Sequence, residues 1–95
     1  STCDAMAIKG VYEFAPKEQW LKIWQLDQML HCSRAARESR EGLQKMGKRL
    51  LQLGQTIYPQ LEWQVLAQAI KQQDCIGSYS TIYGWTTFQL GIDLA

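Results

Sequence analysis

The sequence predicts an α+β domain, mainly helical, in which three helices pack on a small sheet in the order βαααββ. Three observations lead to this prediction. Apolar residues alternate near the N-terminus, they recur with the period of a helix through the middle of the chain, and β-branched and aromatic residues concentrate near the C-terminus. The chain has 95 residues, the size of a single domain over residues 1–95.

The first element is a predicted strand over residues 6–14. Its apolar residues occupy every second position apart from Gly10, which is the period of a half-buried strand. Because one short strand is not stable alone, we expect it to form a sheet with a C-terminal hairpin, so that the two ends of the chain meet. Residues 1–5 are expected to be an expression remnant or a disordered extension. The alternating residues are Met6, Ile8, Tyr12 and Phe14.

The next two elements are predicted helices. Pro16 suits a first helical turn, so the first helix is expected to run from about Pro16 to Cys32. Ser33 is the predicted N-cap of an amphipathic second helix, and Gly54 is its predicted end. The apolar side of the second helix contains Ala36, Leu43, Met46, Leu50, Leu53 and Ile57.

The C-terminal half contains a third predicted helix and the hairpin. Pro59 begins the helix, which is expected to extend to about Gln73 and to expose a row of glutamines at every fourth position, from Gln60 to Gln72. Beyond it, residues 79–88 are rich in β-branched and aromatic side chains, which favours two short strands or one strand and a loose tail. A fourth helix stays open as an alternative.

Apolar side chains surround almost the whole first helix, and this feature decides the predicted function. A helix that is apolar all round must be covered all round, which favours contact with a second copy of the chain or with another protein. The alternative is that the sheet and the other helices cover it completely. The predicted interface residues are Trp20, Leu21, Trp24 and Met29, with the two tryptophans as anchors.

A basic segment gives the second function hypothesis. Residues 34–49 contain six basic and two acidic residues, a net charge of +4, whereas the rest of the chain carries −3. Such a basic ridge attracts phosphates, so a DNA- or RNA-binding regulator is the alternative function. The competing interpretation is a solvated face of salt bridges between residues four positions apart. The predicted phosphate-binding residues are Arg34, Arg37, Lys45 and Lys48.

Catalysis is the least favoured class. His31 is the only histidine, and it lies next to Cys32 and four residues after Asp27. Neighbouring helical residues point about 100° apart, so His31 and Cys32 cannot act as a base and nucleophile pair. The phosphate-binding and nucleophile motifs are missing. We therefore predict no catalytic residue, no metal and no cofactor.

The favoured function is a small non-catalytic binding or regulatory domain that acts through protein–protein contacts and self-associates. Apolar residues make up 46% of the chain, enough for a folded core. No apolar run approaches the roughly 18 residues of a membrane span, so no membrane contact is expected. Three cysteines at wide spacings fit reduced thiols in a cytoplasmic protein.

Overall fold

A computed structural model describes residues 2–34 and 37–94, without the side chains of residues 37 and 38. Every regular element of this described part is helical, so the prediction of an α+β fold with a small sheet is wrong. No helix within it is both long and apolar enough to span a bilayer. The elements are α1 (Thr2–Phe14), a 3₁₀ turn (Ala15–Lys17), α2 (Trp20–Cys32), α3 (Arg37–Ile57), α4 (Gln64–Lys71) and α5 (Tyr79–Gln89).

The predicted first strand is part of helix α1, which begins at Thr2 and includes residues 2–5. The helix buries Ala7, Gly10 and Val11, which are spaced as one face of a helix. Because two of these residues are small, the larger alternating residues dominated the sequence pattern. The small face lets helices approach closely: a Cβ on Gly10 would lie 2.3 Å from the Leu26 side chain of α2.

The predicted C-terminal strands are helix α5, in spite of their β-branched and aromatic residues. This helix buries most of its circumference, and burial outweighs the modest intrinsic preference of such residues for strands. Two of its threonine hydroxyls are satisfied within the helix, because Thr86 donates to the Ile82 carbonyl and Thr87 to the Tyr83 carbonyl. The two ends of the chain do meet, as α1 packed against α5.

The three middle helices match the predicted ones, with different ends. Ser33 terminates α2, where its hydroxyl donates to the Leu30 carbonyl at 2.8 Å, so it does not cap the second helix as predicted. Ala36 lies outside the described residues. Gly54 does not end α3, which continues to Ile57. The glutamine row is exposed as predicted, at Gln60, Gln64, Gln68 and Gln72.

Trp85 of α5 lies at the centre of the core. Its ring centroid is 5.8 Å from that of Trp24 and 5.4 Å from that of Trp20, both on α2. Its indole N–H donates to the Glu62 carbonyl at 2.7 Å, so the polar atom of this buried ring is satisfied. Two tryptophans of α2 therefore hold the central helix. Other core residues are Val11, Ala15, Ile23, Leu51, Trp63, Leu66, Ala69, Cys75 and Ile82.

Helix α3 packs through a strip of Gly47, Leu51 and Gly54, all buried. A Cβ on Gly47 would lie 2.0 Å from the carbonyl oxygen of Gly77, in the loop that precedes α5. The absence of a side chain at position 47 therefore allows the backbones of α3 and this loop to touch.

This contact predicts opposite effects for two glycine substitutions in the same helix. Gly47→Ala should destabilise the fold by about 2 kcal/mol, because α3 and the loop must separate. Gly42→Ala is the matched control, since nothing lies within 4 Å of its added Cβ. It should stabilise by about 0.5–1 kcal/mol through its better helix propensity. Urea denaturation measures both, and equal stability of the two variants would contradict the packing argument.

Candidate functional site

A buried carboxylate organises the region where α2 meets the beginning of α5. Asp27 is only 2% exposed, yet both of its oxygens accept hydrogen bonds. Gly77 has a φ of +78°, and successive N–H groups around such a left-handed residue form a concave anion site. The carboxylate fills this site. Its donors are the backbone N–H groups of Ile76 (2.6 Å), Gly77 (3.3 Å) and Ser78 (3.2 Å), the Thr81 hydroxyl (2.7 Å) and the Cys75 thiol (3.4 Å).

The Cys75 thiol is a hydrogen-bond donor in this cluster. Burial raises the pKa of Cys75 well above its usual range, and the adjacent Asp27 carboxylate raises it further. A thiol that stays protonated is a poor nucleophile and a poor metal ligand. Cys75 therefore has a structural role.

His31 contacts the same loop through its Nδ1, which lies 2.9 Å from the Ser78 hydroxyl. Burial lowers the pKa of His31, and although Asp27 opposes this shift, Arg40 and Arg34 add to it. Asp27 and His31 lie four positions apart in α2, and both contact Ser78 at the beginning of α5. The Asp27 carboxylate, however, accepts hydrogen bonds from backbone N–H groups, and His31 contacts the Ser78 hydroxyl. Both residues therefore stabilise the fold.

A metal site does not form from these residues. Among the described residues, no group of three or more histidine, cysteine, aspartate or glutamate side chains could hold a metal ion.

The predicted phosphate-binding residues are divided between different surroundings. Arg34 forms an ion pair with Asp4 of α1, with 2.6 Å between Nη2 and Oδ1, and it is partly buried. Lys45 and Lys48 are exposed on α3 and line a groove next to α4. The side chain of Arg37 lies outside the described residues. Phosphate binding by the basic ridge thus stays a prediction.

The predicted protein interface on α2 is only partly accessible. Trp24 is buried and Trp20 is half-buried, and both contact Trp85. Leu21 is 63% exposed and Met29 is 57% exposed. The two predicted anchors therefore contribute to the core, whereas Leu21 and Met29 are free to contact a partner.

Helix α3 carries a larger exposed apolar face, which we call the α3 seam. The sequence predicted one apolar side for this helix, but three residues of that side face outward, and Leu50 also packs against the core. The signal lay in Gly47 and Gly54, because the glycines mark the strip that packs against the core. Met46, Leu53 and Ile57 are 47%, 54% and 54% exposed, and Leu43 and Leu50 are half-buried. The α3 seam consists of Leu43, Met46, Leu50, Leu53 and Ile57.

A groove of about 600 Å³ lies on the other flank of α3, between this helix and α4. We call it the α3–α4 groove. Its lining combines apolar, basic and glutamine side chains, and none of the seam residues contributes to it. The apolar residues are Leu51, Ala67, Ile70 and Ile76, and the basic ones are Lys45, Lys48 and Lys71.

Comparison with known proteins gives a consistent result. The family model described as UreF matches residues 1–95. The chain is 29% identical to the urease accessory protein UreF of Ureaplasma urealyticum, over 96% of this chain and 39% of that protein. It is 45% identical to UreF of Lachnoclostridium phytofermentans, over 59% of this chain and 25% of that protein. No solved structure matches the chain.

The match to UreF of Sporosarcina pasteurii has 24% identity over 99% of this chain and 46% of that protein. The chain therefore spans less than half the length of these curated relatives.

The hydrogen bonds that Asp27 accepts predict a large loss of stability for a substitution of this residue that preserves its shape. Asp27→Asn should lower the free energy of unfolding by about 3 kcal/mol, because an amide nitrogen faces donors that need an acceptor. Asp93→Asn removes the same charge at an exposed position and should change stability by less than about 0.5 kcal/mol. Urea denaturation measures both variants. Equal effects would show that the cluster does not stabilise the fold.

Cys32 and Cys75 are expected to react with thiol reagents at very different rates. Cys32 is exposed and should react rapidly with a disulfide reagent such as Ellman's reagent. Cys75 should react only through unfolding, slower than Cys32 by about 1000-fold or more. Absorbance against time measures the phases, and Cys75→Ala should remove the slow one. A fast reaction of Cys75 in the folded protein would contradict the protection of this thiol by burial and by its hydrogen bond to Asp27.

Proposed function

Because this chain belongs to the UreF family, we propose that it acts as an accessory protein of urease, through non-catalytic contacts with other urease proteins. Family membership confirms the prediction that the chain is not an enzyme, since the matched relatives are named as accessory proteins. The partners are a proposal, because the chain spans only 39% of the first of those relatives. The predicted cytoplasmic location stays a prediction.

The observation that supports contact with other proteins is the α3 seam. Its residues are spaced alternately by three and four positions, which is the heptad spacing of helices that pack against another helix. From Leu43 to Ile57 the seam extends about 21 Å along the helix axis. A soluble monomer rarely exposes a continuous apolar patch of this length. A helix of a partner protein would cover it.

The exposed residues of α2 provide a second proposed contact. Leu21 and Met29 are both more than half exposed, which is compatible with the interface predicted from the sequence. Trp20 and Trp24 would support this contact indirectly, because they pack against Trp85 and hold α2 on the core. Self-association, which the sequence also predicted, would use the same exposed apolar surfaces.

The test introduces two charges into the α3 seam. Leu53→Glu with Ile57→Glu should reduce co-purification with co-expressed urease proteins by about tenfold or more, because the carboxylates would be desolvated against a partner helix. The fold should persist, since both side chains are about half exposed. Circular dichroism checks the fold.

The matched control is Thr2→Glu with Ala5→Glu, which adds two carboxylates at exposed positions of α1, outside the α3 seam and the α3–α4 groove. It should leave co-purification unchanged. If the unmodified chain does not co-purify with any urease protein, the proposed function is rejected. If the seam variant co-purifies as well as the control, the function stands and the seam is rejected as its surface. Sedimentation of the chain alone shows whether a second copy covers the seam.

A further inference from the structure

We propose that the α3–α4 groove binds an acidic amphipathic helix of a partner protein. This site is separate from the α3 seam, because Leu51 and the lysines line the groove while the seam residues do not. Both surfaces of α3 are therefore open to occupation at the same time. The proposal goes beyond the proposed function, since it specifies the chemistry of a second bound segment.

The shape of the groove fits side chains from a partner. Its volume of about 600 Å³ is within the range of specific binding pockets. The apolar lining comes from three segments, with Leu51 on α3, Ala67 and Ile70 on α4, and Ile76 in the loop before α5. One or two apolar side chains of a partner helix would bury against this lining and stabilise the complex.

The lining is held in place by hydrogen bonds from α2. The backbone N–H of Ile76 donates to Asp27 at 2.6 Å. The side-chain amide of Gln28 donates to the carbonyls of Gln73 and Asp74, at 3.3 and 2.6 Å, where the chain leaves α4. Because these contacts fix the loop, the groove is already formed before a partner binds, which lowers the entropic cost of binding.

Charge determines which partner fits. Lys45 and Lys48 approach the groove from α3 and Lys71 approaches from α4, so that ammonium groups lie on both sides of it. Glu41 is the one carboxylate among the described lining residues, and it takes part in interactions of its own. A segment rich in aspartate or glutamate would pair with the lysines, whereas a basic segment would be repelled.

The composition of the groove disfavours nucleic acid as the occupant. Proteins that bind single strands combine basic side chains with aromatic rings on which the bases stack. The described lining contains no aromatic residue. An aliphatic lining beside lysines instead matches a helix with leucines on one face and carboxylates on its flanks.

The experiment uses a fluorescein-labelled peptide of about 14 residues, roughly 21 Å of helix, with leucines at helical spacing and glutamates elsewhere. Fluorescence anisotropy with the full chain should show saturable binding that weakens as salt increases. The same peptide with lysines in place of the glutamates should bind about tenfold more weakly or worse. Equal binding of the two peptides, or no binding of the acidic peptide, would overturn the proposal.

Two variants locate the binding. Lys45→Glu with Lys48→Glu should weaken the acidic peptide by about tenfold or more. Lys9→Glu with Lys17→Glu makes the same change of charge at exposed positions away from the groove and should have a much smaller effect. Equal losses in the two would mean that net charge, and not the groove, attracts the peptide.

Ala67→Leu tests the apolar lining without a change of charge. Its larger side chain would fill part of the groove, so binding of the acidic peptide should fall by about tenfold. Unchanged binding by this variant would overturn the proposal. Competition by a single-stranded oligonucleotide that is insensitive to Ala67→Leu would indicate nucleic acid at the lysines. A concentration-dependent mass that the groove variants abolish would indicate a second copy. Either result would reject an acidic partner helix.

Discussion

The fold depends on the hydrogen bonds between Asp27 and the chain that leads into α5. Ser78, at the N-cap position of this helix, makes no side-chain cap of its own, so the acceptor comes from α2. The donors lie 48 to 54 residues further along the chain. A buried carboxylate with that many donors is stabilising as a whole, and it fixes the loop against which Gly47 of α3 packs. One side chain thus sets the relative positions of α2, α3 and α5.

This arrangement uses the reactive groups of the chain for structure. Asp27 accepts hydrogen bonds from backbone N–H groups, and the Cys75 thiol is buried and protonated. His31 is hydrogen-bonded to the Ser78 hydroxyl. The remaining candidate functional surfaces are suited to binding rather than to catalysis. They are the α3 seam and the α3–α4 groove, on the two flanks of α3. Such surfaces are compatible with the proposed accessory role.

The sequence predicted the middle of the fold better than its ends. Helices α2, α3 and α4 were recognised because large apolar residues recur in them with helical period. Helix α1 was missed because Ala7 and Gly10 face its neighbours. The segment of α5 was predicted as strands, with a helix only as the alternative, and burial of Thr81 and Trp85 outweighs their preference for strands. At the candidate sites, the sequence identified the basic and apolar residues, but it could not show which of them the packing would cover.

The sequence by itself determined which residues are apolar, which carry charge, and that nucleophile and phosphate motifs are missing. Only the tertiary structure decided which stripe of each helix faces inward. The physical reason is close packing: glycines at positions 47 and 54 let α3 approach its neighbours on one strip, and this contact turns Leu53 and Ile57 outward. Likewise, the sequence shows an aspartate in a predicted helix, but only the fold brings its carboxylate to the backbone N–H groups that donate hydrogen bonds to it.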